Sequence, residues 1–413
     1  MTASTSGAGT FAHILSGWPK RLPVALIVAA SAAFAGNVRT GIDVLAASGF
    51  RQLAGKRVGL ITNHSGFDRS GRRTVDLLAK AGNLELVAIF SPEHGISGTS
   101  WGREGRAEST DAATGVPILN LWGKTQRPTP EMLRGIDTLV YDIQDVGARF
   151  YTYMATLGVA MEEAAVHKIE VVVLDRPNPI NGATVEGPVQ DPDLLGFVCY
   201  FPMPARYGMT IGEQAMMFNA EKKMGLKLTV VKMENWRRRD WFDQTGLRWV
   251  KPSPNLRDFY SVVFYPALNM LNMNGMSIGR ATENPYNLLG APWIDGEKLA
   301  AYLNGRKIAG VSFIPLRFTP SGDRFGGEEC GGVFVNLLDR ERLNTGRLGI
   351  ELVAALWKLY PGQFVLDRTL HRVGSRKVLA AIRRGDDPES IERGLRADLE
   401  RFRQIRAKYL LYE

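Results

Sequence analysis

The segment Phe90-Ser-Pro-Glu-His-Gly-Ile96 ends an apolar run at Pro92, which has no amide to give to a sheet, so Glu93 is expected to project from a strand end. A carboxyl group there, partly desolvated and next to His94, suits a general acid; it equally suits an ordinary loop salt bridge. A second group lies in Tyr141-Asp-Ile-Gln-Asp-Val-Gly-Ala-Arg149-Phe-Tyr-Thr-Tyr153. Asp142 and Asp145 can position a water, balance Arg149 or cap a helix, while Tyr151 and Tyr153 can stack on a sugar ring or pack in a core. The third, Asp175-Arg-Pro-Asn-Pro-Ile-Asn-Gly182 followed by Val185-Glu-Gly-Pro188, is a loop stiffened by prolines. It offers Arg176 and Asn178 as binding groups. Glu186 is either a second carboxylate or a turn-stabilising residue.

These groups need elements to position them. Arg57 to Thr62, Leu84 to Phe90, Thr138 to Tyr141 and Glu170 to Leu174 are short apolar runs of strand length, and helical spacing falls at Thr74 to Ala81 and from about Phe150 to His167. Such β/α repeats predict an α/β fold, a parallel sheet with helices on both faces, in which ligands bind outside the carboxyl ends of the strands. Asn63, His64, Glu93, His94, Asp142, Gln144, Asp145, Asp175, Arg176 and Asn178 all follow predicted strands and are expected on one rim. Thr210-Ile-Gly-Glu213 is a capping box that starts a helix to about Lys223, and Leu226 to Val231 reads as a strand. Beyond it the chain turns rich in Pro, Asn and Gly, as in Lys251-Pro-Ser-Pro-Asn255. A domain boundary is therefore expected near residue 225, within about ten residues either way. The predicted domains span residues 36–225 and 226–413. Strands resume at Val311 to Phe318 and Gly332 to Leu337, with helices near Gly349 to Leu359 and from Pro388 to about Tyr409.

Composition narrows the class. At 413 residues, 45% hydrophobic and 23% charged, the chain is in the range of soluble two-domain enzymes. Its net charge of +9 is spread along the sequence; the densest stretch, Arg368 to Lys408, is interleaved with Glu392, Asp398 and Glu400 and reads as a solvated helix face. No nucleic-acid module is present, and no nucleic-acid partner is expected. Lys20-Arg21, the apolar run Leu22 to Ala35 and Ala33-Phe-Ala35 form a secretory signal with cleavage expected after Ala35, which predicts a periplasmic or secreted product without a stable membrane anchor. Cys199 and Cys330 allow at most one disulfide. His64, His94, His167 and His371 lack metal-ligand spacing, and no phosphate loop follows the first strand, so no metal and no cofactor is expected.

Taken together, Gly59-Leu-Ile-Thr-Asn63, Ser91-Pro-Glu-His-Gly95, Tyr141-Asp-Ile-Gln-Asp-Val-Gly147, Arg149-Phe-Tyr-Thr-Tyr153, Leu174-Asp-Arg-Pro-Asn-Pro179, Val185-Glu-Gly-Pro188, Arg206 with Gly208-Met-Thr210, and Gly290-Ala-Pro-Trp-Ile-Asp295 resemble the exo-β-N-acetylmuramidase family from about Gly41 to Pro361. The resemblance implies a glycoside hydrolase that releases N-acetylmuramic acid (MurNAc) from the non-reducing ends of peptidoglycan fragments such as MurNAc-GlcNAc. It also implies a Rossmann-like N-terminal domain, a smaller α+β C-terminal domain and a site in the cleft between them. Glu93 is then the catalytic candidate, with Glu186 or Asp142 as partner, although the substrate's own N-acetyl group could replace that partner. The lactyl carboxylate of MurNAc calls for a planar cation, for which Arg149, Arg176, Arg206 and Arg280 are candidates. Asn63, His64, His94, Asp145, Tyr151, Tyr153 and Asn178 complete the expected binding set.

Two positions depart from the resemblance. Asn272 stands where such sequences commonly carry an acid, and Tyr207 where a His is frequent. The first exchange removes a charge near the expected cleft, which keeps a non-catalytic muropeptide-binding protein open as an alternative. A metal-dependent hydrolase of cell-wall material, through His64 and His94, is the other.

Overall fold

The computed structural model describes residues 36–99 and 110–413; the segment expected to be a leader, with its predicted cleavage site after Ala35, lies outside them. The first half runs α1 (Gly41–Ala47), β1 (Arg57–Thr62), α2 (Thr74–Ala79), β2 (Glu85–Ser91), β3 (Ile118–Asn120), β4 (Thr138–Asp142), α3 (Thr152–Val166), β5 (Glu170–Leu174), β6 (Glu186–Val189), β7 (Pro204–Arg206), α4 (Ile211–Glu221) and β8 (Leu228–Val231). The second runs α5 (Phe259–Leu268), β9 (Leu288–Ala291), α6 (Gly296–Gly305), β10 (Val311–Phe318), β11 (Cys330–Leu337) and α7 (Thr345–Leu359). It closes with α8 (Leu370–Val373), α9 (Arg376–Arg384), α10 (Pro388–Arg393) and α11 (Arg396–Ala407).

Six strands form a parallel sheet in the order β3-β2-β1-β4-β5-β8, so the strand order reverses between β1 and β4. The doubly wound arrangement follows from strands that are apolar on both faces. Along β4 and β5, Leu139, Tyr141, Val171 and Val173 pack into one core, while Val140, Val172 and Leu174 pack into another with Ile42, Leu45, Val75 and Leu78 of α1 and α2. The first core is continuous with that of the C-terminal half, where β10-β11-β9 form an antiparallel sheet, giving the α+β character expected there. The parallel sheet continues to Val231 through the pairing of β8 with β5.

Local signals explain several ends. Thr210 Oγ1 accepts the Glu213 amide at 3.2 Å while Glu213 Oε2 accepts the Thr210 amide at 3.0 Å, the reciprocal box that starts α4. The predicted helix from Pro388 is two helices, α10 and α11, separated at Gly394 and Leu395. Cys199 and Cys330 are free and buried, so the disulfide that the sequence allows is not formed.

Candidate active site

β2 ends at Ser91, and the chain then turns sharply: the Gly95 amide donates to the Pro92 carbonyl at 3.0 Å, and His94 and Gly95 both have φ 72°. Glycine takes that left-handed conformation freely, whereas for His94 it is a local strain of the kind that clusters at functional sites. The turn directs Glu93 toward the start of α3. There Thr152 Oγ1 donates to Glu93 Oε2 at 2.5 Å, at the first residue of a helix whose N-cap, Tyr151, makes no side-chain cap bond. The Tyr153 hydroxyl lies 3.2 Å from the Glu93 carbonyl and 3.0 Å from the Pro252 carbonyl, and donates to that pair. His64 Nε2 donates to the Lys251 carbonyl at 2.7 Å, a bond that requires the Nε2-protonated tautomer. Two groups at the sheet rim thus hold the segment that follows Lys251, which brings Ser253 and Asn255 to the site.

Glu93, His94, Trp122, Phe150, Tyr151, Thr152, Val198, Ser253 and Asn255 line one side of a solvent-open cleft of about 690 Å³; Tyr265, Asn269, Asn272, Arg280, Tyr286 and Arg372 from the C-terminal half line the other. Edge-to-face rings connect the walls, with centroids 4.7 Å apart for Tyr151 and Tyr153, 6.1 Å for Tyr151 and Tyr265, and 4.8 Å for Tyr265 and Tyr286. Burial pushes the phenols of Tyr151 and Tyr265 well up and that of Tyr286 to about 12, so at neutral pH all three are uncharged. They can donate hydrogen bonds but do not serve as bases. Arg280 pairs with Asp323 at 3.1 Å, and Asn272 Nδ2 donates to Asn269 Oδ1 at 3.1 Å. Glu93 is the one carboxylate among the described residues lining this cleft. Such a group, fixed by a hydroxyl on a partly covered wall, can give a proton to a leaving oxygen.

Most other rim residues turn inward. Asp142 is fully buried at the centre of the sheet: it accepts two hydrogen bonds from Arg176, at 2.6 and 2.9 Å, and one from Thr74 Oγ1, so it is a core ion pair rather than a partner for Glu93. Arg176 also donates to the Phe67 carbonyl and is used up there. Asp145, whose carboxyl burial pushes up, accepts from Tyr207 and Gln214, which is what the Tyr at position 207 does. Asn178 braces its own loop by donating to the Met209 carbonyl and accepting from the Ile180 amide, and Asn63 Oδ1 accepts from the amide and hydroxyl of Ser65. Neither side chain lines the cleft.

Glu186 also lies outside the cleft. Its Oε2 accepts from the Thr345 amide at 2.9 Å and hydroxyl at 2.8 Å, joining the Val185-Glu-Gly-Pro188 loop to α7. Arg206, 1% exposed, approaches Glu186 at 3.6 Å, stacks over Trp241 and donates to the Ile180 carbonyl. Arg149 is fully buried against main-chain carbonyls. Of the four arginine candidates, only Arg280 reaches the cleft. The residues missing from the sequence-derived set are Trp122, Phe150, Thr152, Val198, Ser253, Asn255, Tyr265, Asn269, Tyr286 and Arg372. Thr152 and Ser253 stand inside motifs already singled out, whereas Tyr265 and Arg372 carry no local signal. Among the described residues no cluster of three or more His, Cys, Asp or Glu is arranged to hold a metal ion.

Two family models together cover nearly all of the described chain: the N-terminal model of exo-beta-N-acetylmuramidase NamZ matches residues 58–260 and the C-terminal model residues 263–412. The chain is 40% identical over 379 residues to the peptidoglycan beta-N-acetylmuramidase NamZ of Bacillus subtilis (strain 168), covering 91% of this chain and 92% of that one. Two crystal structures of DUF1343 family proteins from Bacteroides fragilis NCTC 9343 share the fold. One has a TM-score of 0.83 at 39% identity, covering 91% of this chain and 99% of its own. The other has 0.75 at 31% identity, covering 92% and 99%.

Proposed function

The chain belongs to the exo-beta-N-acetylmuramidase NamZ family, and from that premise we infer that it is a glycoside hydrolase that removes MurNAc from the non-reducing ends of peptidoglycan fragments in cell-wall turnover. MurNAc-GlcNAc is the smallest substrate that fits this reading. The observation that carries it is the Glu93 carboxylate, held by Thr152 at the strand rim inside a cleft with an aromatic wall and two guanidinium groups.

In this reading the protonated Glu93 side chain gives its proton to the glycosidic oxygen as the bond to the anomeric carbon breaks; water adds its oxygen to that carbon and releases its second proton to the solvent of the open cleft, from which Glu93 is reprotonated. Tyr151, Tyr265 and Tyr286 present apolar ring surface and neutral hydroxyls to the sugar, while Ser253, Asn255, Asn269 and Asn272 offer polar groups for its hydroxyls and acetamide. Asn272 leaves that wall without a carboxylate. The basic leader and small-residue cleavage site support export to the periplasm or beyond, where this substrate occurs.

Incubating the full-length or leader-free protein with MurNAc-GlcNAc tests the reading directly. Free MurNAc and GlcNAc should accumulate in equal amounts and be unaffected by chelators. Binding without turnover would instead favour a muropeptide-binding protein, and loss of activity on chelation would favour a metal-dependent hydrolase.

A further inference from the structure

We propose that Arg372 is the specificity residue of this cleft, the group that receives the lactyl carboxylate and so separates MurNAc from neutral amino sugars. The inference rests on the hydrolase reading above and adds to it a residue for which the sequence motifs give no signal.

Two guanidinium groups line the described cleft, and they differ in what they already hold. Arg280 already has an ion-pair partner, Asp323, at 3.1 Å. Arg372 has no carboxylate or hydrogen-bond partner for its side chain among the described residues, yet it is only partly exposed and faces the same cavity as Glu93. A half-covered cation of this kind gains most from a ligand that brings its own negative charge and two acceptor oxygens. The phenols of Tyr265 and Tyr286 each feel the charges of Arg372, Arg280 and Glu93, which puts the three charged groups around one pair of rings.

The backbone under Arg372 is built to hold it still. Arg149 Nη2 donates to the carbonyls of Arg372 and Val373, at 2.7 and 2.8 Å, and Nη1 donates to the Pro188 carbonyl. Arg149 is fully buried without an ion-pair partner among the described residues, and burial pushes its guanidinium down from the usual range. A buried cation held mainly by main-chain carbonyls is a costly way to brace a loop. The cost has a purpose if the brace fixes a charged side chain that must not wander. Next in sequence, Gly374 has φ 76°, and a Cβ there would lie 2.0 Å from Gln190 Oε1 and 2.5 Å from Arg149 Nη2, so the clamp and the glycine require each other. Arg149 is therefore a positioning residue for Arg372.

The test compares MurNAc-GlcNAc with its lactyl methyl ester, which keeps the shape and removes the charge, using the wild type, Arg372→Met and Arg372→Lys. The wild type should prefer the acid by about 10- to 100-fold in kcat/KM, the range of a charge-assisted contact. Arg372→Met should lose that preference, falling to the ester's rate on the acid while changing little on the ester; Arg372→Lys should recover part of it. A merely structural role would lower both substrates together, and that result overturns the assignment. So does an Arg372→Met protein that keeps the wild-type preference, or a wild type that cleaves acid and ester equally. A wild type that cleaves neither overturns the hydrolase reading, and the assignment with it.

Discussion

Thr152 Oγ1 donates to Glu93 Oε2 at 2.5 Å, so the first residue of α3 fixes the rotamer of a carboxylate that leaves β2 some sixty positions earlier. If that bond orients the proton donor, Thr152→Val should lower kcat by about 10- to 100-fold with little change in KM, since a small misplacement of a reacting group costs this much. Thr152→Ser keeps the hydroxyl and should stay close to wild type. Steady-state kinetics on MurNAc-GlcNAc separates the two variants, and a loss in Thr152→Ser with none in Thr152→Val would show that the methyl group rather than the hydroxyl matters.

Asp142 and Arg176 form the ion pair at the centre of the sheet, 0% and 4% exposed. Asp142→Asn should reduce stability by about 3–5 kcal/mol, because Arg176 keeps a buried charge without its partner. Activity per folded molecule should be retained. Urea unfolding followed by kinetics on the soluble fraction checks both, and full stability with lost turnover would return Asp142 to the chemistry.

Burial pushes the His64 imidazole down from its usual range, against the raising effect of its bond to the Lys251 carbonyl. The native state then binds fewer protons than the unfolded chain once the pH falls below about 6.5, the ordinary value for histidine. Its stabilisation is present above that pH and lost as the pH falls through the lower native value. Denaturant unfolding at pH 7.5 and 5.5 should show a smaller acid loss for His64→Gln than for the wild type. Parallel losses would remove His64 from the account of acid sensitivity.

The resemblance to the family was legible from ordered motifs, and the sheet was legible because β1, β2, β4 and β5 are apolar runs separated by turn residues and helices. What the sequence could not separate was which rim residues face out. Asp142 and Glu93 both follow strands, but Asp142 ends β4 between β1 and β5 with Arg176 beside it, whereas Pro92 and the left-handed His94 turn Glu93 into the open. Orientation at the rim is decided by strand neighbours that are remote in sequence. Glu186 illustrates the same point, since its partner Thr345 lies in the other half of the chain. Arg372 was hidden in the basic stretch from Arg368 to Lys408, whose composition describes a solvated helix face; only the fold, through Arg149, sets that one arginine against the cleft.

The role of Glu93 as proton donor is tested most directly by pairing Glu93→Gln with two leaving groups. On MurNAc-GlcNAc the departing sugar oxygen needs a proton, and the variant should lose about 10²- to 10⁴-fold in kcat/KM. On a 2,4-dinitrophenyl glycoside of MurNAc the leaving group departs as a stable anion, and the same variant should keep most of the wild-type rate. Equal losses on the two substrates, or an unchanged rate on the disaccharide, would contradict the assignment of Glu93 as the general acid.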